Sequence, residues 1–572
     1  MTRPSNDVAV KQSRKITRNH LAQLNADVFA TILSFLDIGS MARLEQTCTY
    51  VRNFIQQFGW TRLLNSDLRA LSEVQARKGR AIPAKEVLRI NLAWKSRTFL
   101  VSQCDLDNTS HGKINEGGKM TESSSTSVPF CQLHLLPHGL ILLMGSEMRY
   151  WPNTELEKRQ PITMENCTLF KLENPANLDK RWITQHQRSK SRKARNQGVI
   201  AASAVWDICA SAVLNKQGTL IALARVNGLI EIVQMEARKG GMPARVHLAW
   251  FWPDHLNSSV TIQTLASCPD SGLLAVCGKQ GEVWLLSIRK RQPLRQHKVA
   301  HGTLDIRGLS HWKVNERIWS ACFAKTKTSH KCPPWIAIGT GGREGVLIYS
   351  LKTKIPECIA TLHCNGRSIY SIKTDSMKCN EGISDILYAG CFDGKLRTFD
   401  VTKAIHTNES NAVSVMYDKY DPSAMYCLLT GIGQDGMQIA AGTARHGVVK
   451  MFDVREAFKC TEDTAKPPDQ NNSLDTLDIE RQGWSLFAAH PSRSPTYSLA
   501  GDFDRIFGVT DQKLWQVDLR NRAGHINQMT SSDQLVKANT KKEYELEKGK
   551  LTYYRHSDML LEHSNLPIWI AK

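Results

Sequence analysis

The sequence lacks several features that would place it in a class at once. It has no apolar run of about 18 residues, the length that a membrane-spanning helix needs, and its first residues lack the apolar core of a secretory signal. Its 15 cysteines are odd in number and include no Cys-x-x-Cys pair, which argues against a disulfide framework. These absences predict an intracellular protein, located in the cytoplasm, the nucleus or both.

Motifs that carry chemistry are also scarce. The pairs His330/Cys332 and His363/Cys364 each offer two zinc ligands, but no second pair completes either site. The glycines of residues 339–342 are not followed by the Gly-Lys-Ser/Thr of a phosphate-binding loop, and a hairpin explains them better. No nucleophile–base arrangement stands out. We therefore expect no catalytic residues, no metal and no cofactor.

Positive charge, in contrast, is plentiful. The formal net charge is +20, from 74 Lys and Arg against 54 Asp and Glu. Basic residues concentrate near the start of the chain and in residues 180–196. The second cluster is typical either of a nuclear localisation signal or of a solvated loop, and both interpretations stay open. The excess also suits acidic peptide partners or, as an alternative, nucleic acid.

At 572 residues the chain is too long for one ordinary core. Its pattern changes along its length and predicts five regions. They are a flexible basic arm (1–19), a helical domain (20–77), a helical connector with a Ser/Gly-rich linker (78–129), a body of short strands (130–520, including the basic loop) and a C-terminal extension (521–572).

The helical domain shows apolar residues at helical spacing. Residues 28–36 place theirs on one side of a short first helix. Ser40 is suited to cap a second helix that carries apolar residues from Met41 to Phe58, and a third helix is predicted between Trp60 and Gly79. A core of this size is marginal alone, so we expect a partner to complete it.

From Phe130 onward the pattern is strand, turn, strand, repeated seven times. Five clear hairpins end their turns at glycines 228, 281, 345, 394 and 447, and two weaker copies flank them. Six of the copies also have an earlier strand, such as the one that begins at Ile318. Recurring three-strand units of this kind predict an all-β propeller with seven blades.

Two stretches carry a resemblance to known families. Leu24-Asn25-Ala26-Asp27-Val28 followed by Ile32-Leu33-Ser34-Phe35-Leu36-Asp37 resembles an F-box. The downstream copies resemble degenerate WD40 repeats, with Phe399-Asp400 and Phe452-Asp453 where Trp-Asp usually stands and Asp393 at the structural turn aspartate. Together they resemble the F-box/WD-repeat substrate receptors, and phrases such as the one at 447–453 are similar to the dactylin-type group.

The resemblance implies a function. The helical F-box segment would dock on the Skp1 adaptor of a cullin-RING (SCF) ubiquitin ligase, and the propeller would bind a protein substrate for ubiquitination and proteasomal degradation. The chain would act by proximity and not by catalysis. The implied Skp1-binding residues are Leu24, Val28, Ile32, Leu33, Phe35, Leu36, Leu44 and Trp60. The alternative is a non-catalytic WD-repeat scaffold, associated with nucleic acid through its basic clusters.

One position in the hairpins suggests where a substrate would bind. The residues two before the hairpin glycines are Val226, Lys279, Arg343, Phe392 and Arg445. Three are cations, and Arg225 is adjacent to the first. In related receptors, arginines at this turn bind acidic or phosphorylated peptides, so Arg225, Lys279, Arg343 and Arg445 are the predicted substrate-binding residues. The alternative is that they are simply the exposed turns of a basic protein.

Overall fold

The architecture is taken from a computed structural model. It describes residues 26–34, 36, 38–47, 49–55, 90, 94, 100–106, 131–157, 162–171, 207–237, 243–251, 253, 260–290, 304–325, 334–379, 382–407, 410–418, 421–433, 437–445, 447–454, 483–487, 494–511, 513–519 and 553–555. The chain divides into two compact units. The first is Met1–Arg97 with Gly433–Gly436, and the second is Thr98–Ile432 with Met437–Lys572. Over the described ranges, no helix is long and apolar enough to cross a membrane.

The first unit contains α1 (Ala26–Ser34), α2 (Ile38–Glu45) and α3 (Thr49–Phe54). Their buried apolar side chains are Phe29, Leu33, Met41 and Val51, followed by Ile55 just after α3. The rings of Phe29 and Phe54 meet edge to face, with centroids 4.9 Å apart, and so join α1 to α3. This small apolar core is what the helical spacing of the sequence predicts.

The predicted second helix is divided in two, and that part of the prediction is wrong. Gln46 and Thr47 form a turn in which their N–H groups donate to the carbonyls of Arg43 and Leu44, three residues back, at 3.1 and 3.0 Å. The Thr47 hydroxyl donates to the same Leu44 carbonyl at 2.7 Å. These tight bonds end α2. Because α2 begins at Ile38, Ser40 lies inside it and is not its cap. The predicted third helix lies outside the described residues.

The second unit is built from four-stranded antiparallel sheets, one of them extended by a fifth strand. After β1 (Leu100–Asp105), blade 1 has β2 (Cys131–Leu136), β3 (Gly139–Met144), β4 (Glu147–Pro152) and β5 (Thr168–Lys171). Blade 2 has β6 (Ile208–Val213), β7 (Leu220–Arg225), β8 (Ile230–Ala237) and β9 (Pro243–Phe251). Blade 3 has β10 (Ile262–Cys268), β11 (Leu273–Gly278), β12 (Glu282–Lys290) and β13 (Leu304–Lys313).

The remaining blades repeat this order. Blade 4 has β14 (Ile318–Phe323), β15 (Trp335–Thr340), β16 (Val346–Ser350) and β17 (Glu357–Leu362). Blade 5 has β18 (Ile369–Cys379), β19 (Gly382–Cys391), β20 (Lys395–Asp400) and β21 (Ser414–Tyr417). Blade 6 has β22 (Met425–Ile432), β23 (Gln438–Thr443), β24 (Val448–Asp453), β25 (Trp484–Phe487) and β29 (Tyr553–Arg555). Blade 7 has β26 (Ser498–Gly501), β27 (Arg505–Val509) and β28 (Lys513–Asp518), with β1 as its outer strand.

The sheets close into a ring. Each first strand contacts the first strands of the neighbouring sheets, and β2 contacts both β6 and β26. The ring is sealed by β1, which pairs with β28 from Leu100↔Asp518 to Asp105↔Lys513. The predicted seven-bladed propeller of the WD40 type is thereby confirmed. β1 comes from the stretch that the sequence assigns to the connector, so part of that stretch belongs to the propeller.

The apolar core lies between neighbouring blades. The second strand of each of blades 1 to 4 (β3, β7, β11 and β15) is buried along its whole length. Each large apolar cluster joins two adjacent sheets. In one of these clusters, Ile338 of blade 4 packs with Cys277 of blade 3. Strands that are covered on both faces read as continuous apolar runs, which is why these hairpins stand out in the sequence.

Two short helices, α4 (Asn153–Glu157) and α5 (Val401–Thr407), follow third strands and were not predicted. Asp400 explains α5. Its carboxylate accepts a hydrogen bond from the Lys403 N–H at 2.9 Å and one from the Ser384 hydroxyl at 2.9 Å, so it caps the helix. The aspartate that stands in the Trp-Asp position of blade 5 is therefore a helix cap.

Candidate functional site: the upper face of the propeller

The turns between the second and third strands of the blades all lie on the same face of the ring. In blade 4, the start of β14 is opposite the end of β15 (Ile318↔Thr340), and the start of β16 is opposite the end of β17 (Val346↔Leu362). The turn between the second and third strands therefore lies beside the connection that enters the blade. Blades 2, 3, 5 and 6 have the same registers at their first strands. We call the face that carries these turns and connections the upper face.

The predicted rim residues lie on the upper face. Lys279, Arg343 and Arg445 are exposed, as are Val226 and Phe392 at 39 % and 54 %. Backbone bonds hold the turns against the connections. The N–H of Lys279 donates to the Thr261 carbonyl at 2.8 Å, and that of Arg343 donates to Glu316 Oε1 at 2.9 Å. The side chains of the three cations are thus presented to solvent from fixed backbone positions.

Arg225 does not belong to this set, and its prediction as a substrate-binding residue is wrong. It is the last residue of β7, and its side chain is fully buried. Its guanidinium forms an ion pair with Glu231 of β8, which is 2 % exposed, and Arg245 lies 3.9 Å from the other carboxylate oxygen. One step along the chain separates the exposed turn position from a buried strand end, which explains the error.

Asp393 has the structural role that its position predicts. Its two carboxylate oxygens accept bonds from both terminal nitrogens of Arg397, at 3.0 and 2.7 Å. One of them also accepts the Lys395 N–H at 3.3 Å. A bidentate pair of this kind ties the turn to the third strand and uses the negative charge of Asp393 locally.

The first strands of all seven blades line a central channel of about 460 Å³. Among its described lining residues, Lys373 is the single charged side chain and there is no carboxylate. His134 donates or accepts a bond of 2.7 Å with the Ser211 hydroxyl in the channel wall. Burial, with a smaller contribution from the charge of Lys373, lowers the pKa of His134 to about 4. The charge of the channel is therefore positive.

The channel thiols are held in the protonated form. Burial raises the pKa of Cys131, Cys209 and Cys427 to about 12, well above the value at which a thiolate would act as nucleophile or ligand. No group of three His, Cys, Asp or Glu residues that could hold a metal ion occurs in the part of the chain that the structure describes.

A β-bulge recurs at one position of the first strand. In blades 2 to 6, the register shifts between the first and third residues of that strand. A bulge leaves the extra residue out of the ladder and redirects its side chain. The bulged residues are Cys209, Gln263, Trp319, Tyr370 and Tyr426, and all five line the channel. Because they lie next to the strand start, they form its upper mouth.

Three consecutive blades place aromatic rings at this position. Tyr370 packs edge to face against Trp319 and Tyr426, with ring centroids 4.7 and 5.2 Å apart. The turn residue Phe392 joins them at 5.8 Å from Tyr370. The guanidinium of Arg317 lies 3.6 Å from the centre of the Trp319 ring. We call Trp319, Tyr370, Phe392 and Tyr426 the aromatic cluster.

The aromatic cluster was not predicted, although its signal is present. When the first strands are aligned, the second residue is aromatic at Trp319, Tyr370, Tyr426 and Tyr497 and polar or small at Cys209 and Gln263. What the alignment does not contain is the bulge, which in blades 4 to 6 turns Trp319, Tyr370 and Tyr426 toward the channel and not into the sheet.

The predicted Skp1-binding residues divide into three groups. Val28 and Ile32 are exposed at 48 % and 39 %, whereas Leu33 is 2 % exposed. Leu36 and Leu44 are partly buried. Leu24, Phe35 and Trp60 lie outside the described residues. An apolar pair one helical turn apart therefore faces solvent on α1, beside a residue that serves the core.

Comparison with known proteins bears on the fold. No family model matches the sequence, and no curated protein matches it. Solved structures do match. The WD40 repeats of RRP9 show 10 % identity and a TM-score of 0.41, over 69 % of this chain and 96 % of the other. Sqt1 of Chaetomium thermophilum, bound to the N-terminus of ribosomal protein L10, shows 12 % identity and a TM-score of 0.40. The match covers 68 % of this chain and 95 % of the Sqt1 chain.

A chain of the mitotic checkpoint complex is similar at 9 % identity and a TM-score of 0.40, over 71 % of this chain and 97 % of that one. Because these identities and TM-scores are low, the evidence for the propeller is the strand order of this chain itself. The resemblance to F-box/WD-repeat receptors stays a prediction.

Proposed function

We propose that this protein is the substrate-binding subunit of an SCF-type ubiquitin ligase. Its helical unit binds Skp1, and the upper face of its propeller binds the protein to be ubiquitinated. The chain contributes no catalytic group, and it acts by holding the substrate near the ubiquitin-loaded partner. The observation that carries the proposal is the exposed apolar pair of α1.

An exposed apolar pair on a small helical unit indicates a docking surface. Val28 and Ile32 are about half and two-fifths exposed, and side chains four apart lie on one helix face. Both belong to the stretch that resembles an F-box. Tyr50 of α3 is a third large side chain of this unit that is exposed, at 41 %. A partner that covers these side chains removes apolar surface from water, which is the main favourable term in association.

The propeller supplies the second binding surface. A rigid ring that presents loops and turns on one face is a common platform for recognition. Here the upper face carries exposed cations at Lys279, Arg343 and Arg445, which favour acidic or phosphorylated segments by charge-assisted hydrogen bonds. The two surfaces belong to different compact units, so each can be disrupted without the other.

The test is a binding measurement between the full-length chain and purified Skp1, by size-exclusion chromatography and by titration. We expect a complex with the wild-type chain. The double variant Val28→Asp/Ile32→Asp places two charges on the apolar face, and we expect its affinity to fall by at least about tenfold, as for hot-spot residues. Leu33 is unsuited to this test, because it is buried and its replacement would destabilise the helical unit.

A matched control adds the same two charges elsewhere on the unit. Gln46→Glu and Asn53→Asp are both at exposed positions outside the exposed apolar pair. We expect this variant to bind Skp1 like the wild type. If the wild-type chain forms no complex with Skp1, or if Val28→Asp/Ile32→Asp binds as tightly as the control, the proposal fails and the scaffold alternative is favoured.

A further inference from the structure

Two cysteines meet beneath the upper face, at the junction of blades 4 and 5. Cys364 lies in the connection between β17 and β18, and Cys391 is the last residue of β19. Both are fully buried in one apolar cluster. The thiol of Cys364 donates a hydrogen bond to the sulfur of Cys391. A buried cysteine alone behaves as a small apolar residue, but two thiols in direct contact can also be joined by oxidation.

A buried arginine distinguishes Cys391 from the channel thiols. The guanidinium of Arg397 donates a hydrogen bond to the Cys391 sulfur, and it is held in place by the two oxygens of Asp393 at 3.0 and 2.7 Å. The hydrogen bond from Cys364 and the charge of Arg397 outweigh burial and the nearby carboxylate of Asp393, so the pKa of Cys391 is lowered. A lowered pKa favours the thiolate, which is the reactive form of cysteine.

The hydrogen bond between the two thiols also sets the order in which they react. Cys364 is the donor, and its pKa is raised, first by that bond and then by burial. Cys391 is therefore the sulfur that attacks, and Cys364 keeps its proton while Cys391 is a thiolate. Once Cys391 has reacted, it no longer carries the negative charge that holds the proton on Cys364.

Both cysteines lie one residue along the chain from exposed positions. Cys364 is flanked by the exposed residues His363 and Asn365, and Cys391 is followed by Phe392, which is 54 % exposed. Asn365 has φ of 56°, a left-handed conformation that is uncommon outside glycine. Short turns at the surface open at a lower cost in free energy than the core does. A small oxidant therefore reaches the pair by a local movement, whereas burial excludes a bulky one.

We propose that Cys364 and Cys391 are a redox-sensitive pair, which a hydroperoxide such as hydrogen peroxide converts into a disulfide. The disulfide joins the connection that leaves blade 4 to the second strand of blade 5. An activated cysteine beside a second cysteine is typical of redox sensors. This oxidation site is separate from the binding of Skp1 or of a substrate, so it goes beyond the proposed function and does not depend on it.

The oxidation proceeds in two balanced steps. The Cys391 thiolate attacks one oxygen of hydrogen peroxide, the O–O bond breaks, and the second oxygen leaves as water after taking up the proton released by Cys391. Cys391 is then a sulfenic acid. The Cys364 sulfur attacks the Cys391 sulfur, the S–S bond forms, the S–O bond breaks, and the hydroxyl leaves as water with the Cys364 proton. Two thiols lose two electrons in total, and one peroxide is reduced to two molecules of water.

The test exposes the folded, fully reduced full-length chain to hydrogen peroxide. The remaining thiols are then blocked with N-ethylmaleimide under denaturing conditions, and disulfides are mapped by mass spectrometry after trypsin digestion. We expect a cross-link between residues 355–367 and 379–395 that dithiothreitol reverses. These two peptides also contain Cys358 and Cys379, so the measurement is repeated with Cys358→Ser/Cys379→Ser, which should keep the link.

Two single variants separate the roles of the cysteines. Cys391→Ala should abolish the link and the sulfenic acid that precedes it. Cys364→Ser keeps a hydroxyl donor and removes the second sulfur, so the sulfenic acid of Cys391 should persist and be trapped by dimedone. Cys277→Ala is the matched control, because Cys277 is equally buried and burial raises its pKa to about 12. It should form the link like the wild type. Tryptophan fluorescence in urea confirms that each variant is folded before oxidation.

The proposal is overturned if Cys364 and Cys391 stay reduced at peroxide concentrations that oxidise Cys358, an exposed thiol of β17 whose pKa is raised by partial burial. It is also overturned if the link forms only after the chain is unfolded in urea, or if Cys364→Ser yields no dimedone adduct on Cys391. None of these measurements contains Skp1 or a substrate, so their failure leaves the proposed function untouched.

Discussion

The buried pair Arg225–Glu231 tests quantitatively which residues near the upper face stabilise the fold and which bind a partner. Arg225 is fully buried and Glu231 is 2 % exposed, so the carboxylate depends on its partner and not on water. In Arg225→Met the side chain keeps its length and loses its charge. The prediction is a loss of stability without a direct effect on substrate binding at the upper face.

The magnitude follows from the surroundings of Glu231. Removal of one partner from a buried ion pair costs about 3–5 kcal/mol. Arg245 lies 3.9 Å from Glu231 and is 13 % exposed, so it retains part of the attraction. We therefore expect the lower end, about 3 kcal/mol. With an m-value of about 3 kcal/mol per molar urea, the unfolding midpoint of the propeller should fall by about 1 M.

The assay is urea unfolding of the full-length chain, followed by tryptophan fluorescence. The double variant Arg225→Met/Glu231→Leu leaves no uncompensated charge, and its midpoint should return most of the way to that of the wild type. If Arg225→Met leaves the midpoint unchanged but weakens the binding of substrate to the upper face, Arg225 is a recognition residue and the structural role assigned to it is refuted. If the unfolding midpoint falls equally in the single and double variants, the unpaired charge of Glu231 is not the cause of the lost stability.

Two further predictions concern stability. Gly281 has φ of +97°, and a methyl group there would overlap the Val314 carbonyl oxygen. Gly281→Ala should therefore lower the free energy of unfolding by about 2 kcal/mol or more. The control is Gly366→Ala, at φ of +66° with open space around it. If both variants lose the same free energy of unfolding, the steric clash at Gly281 is not the cause. Burial holds the pKa of His134 and His247 at about 4, below the unfolded value of about 6.5. The unfolded chain therefore binds more protons, and stability should fall as pH drops through this window. His134→Gln should reduce the fall in urea midpoint between about pH 7.5 and pH 5, and an unchanged slope would contradict the assignment.

The blades were predictable because their signal is local. In β11–β12, an apolar run, a tight turn and a second apolar run lie within a short stretch, and the turn requires a glycine that the sequence shows at Gly281. Seven such copies imply a closed ring, since closure protects the strand edges. The strand that seals the ring was not assigned to the propeller, because Leu100 pairs with Asp518 across most of the chain.

The site was predicted less well, for a physical reason. Exposed cations at hairpin turns follow from the position of the turn, so Lys279, Arg343 and Arg445 were placed correctly on the upper face. Arg225 was misplaced because one residue separates a turn from a strand end. The aromatic cluster depends on a bulge in the first strand and on the order of blades 4 to 6 around the ring, and neither can be read from a single repeat.

The helical unit shows the same limit. Helical spacing identifies the apolar residues of α1, but it does not tell which of them the core uses. Leu33 and Val28 have equal standing in the sequence, whereas the structure buries the first and exposes the second. That difference decides which residues can report on docking without unfolding the unit.

The most direct test of the account is a parallel affinity purification of three full-length forms from cells treated with a proteasome inhibitor. The forms are the wild type, Val28→Asp/Ile32→Asp and Tyr426→Ala/Phe392→Ala. We predict that the wild type carries Skp1, cullin and ubiquitinated partners, that the first variant loses Skp1 and cullin alone, and that the second loses the partners alone. Absence of Skp1 from the wild-type complex, or its retention by the first variant, would contradict the central claim.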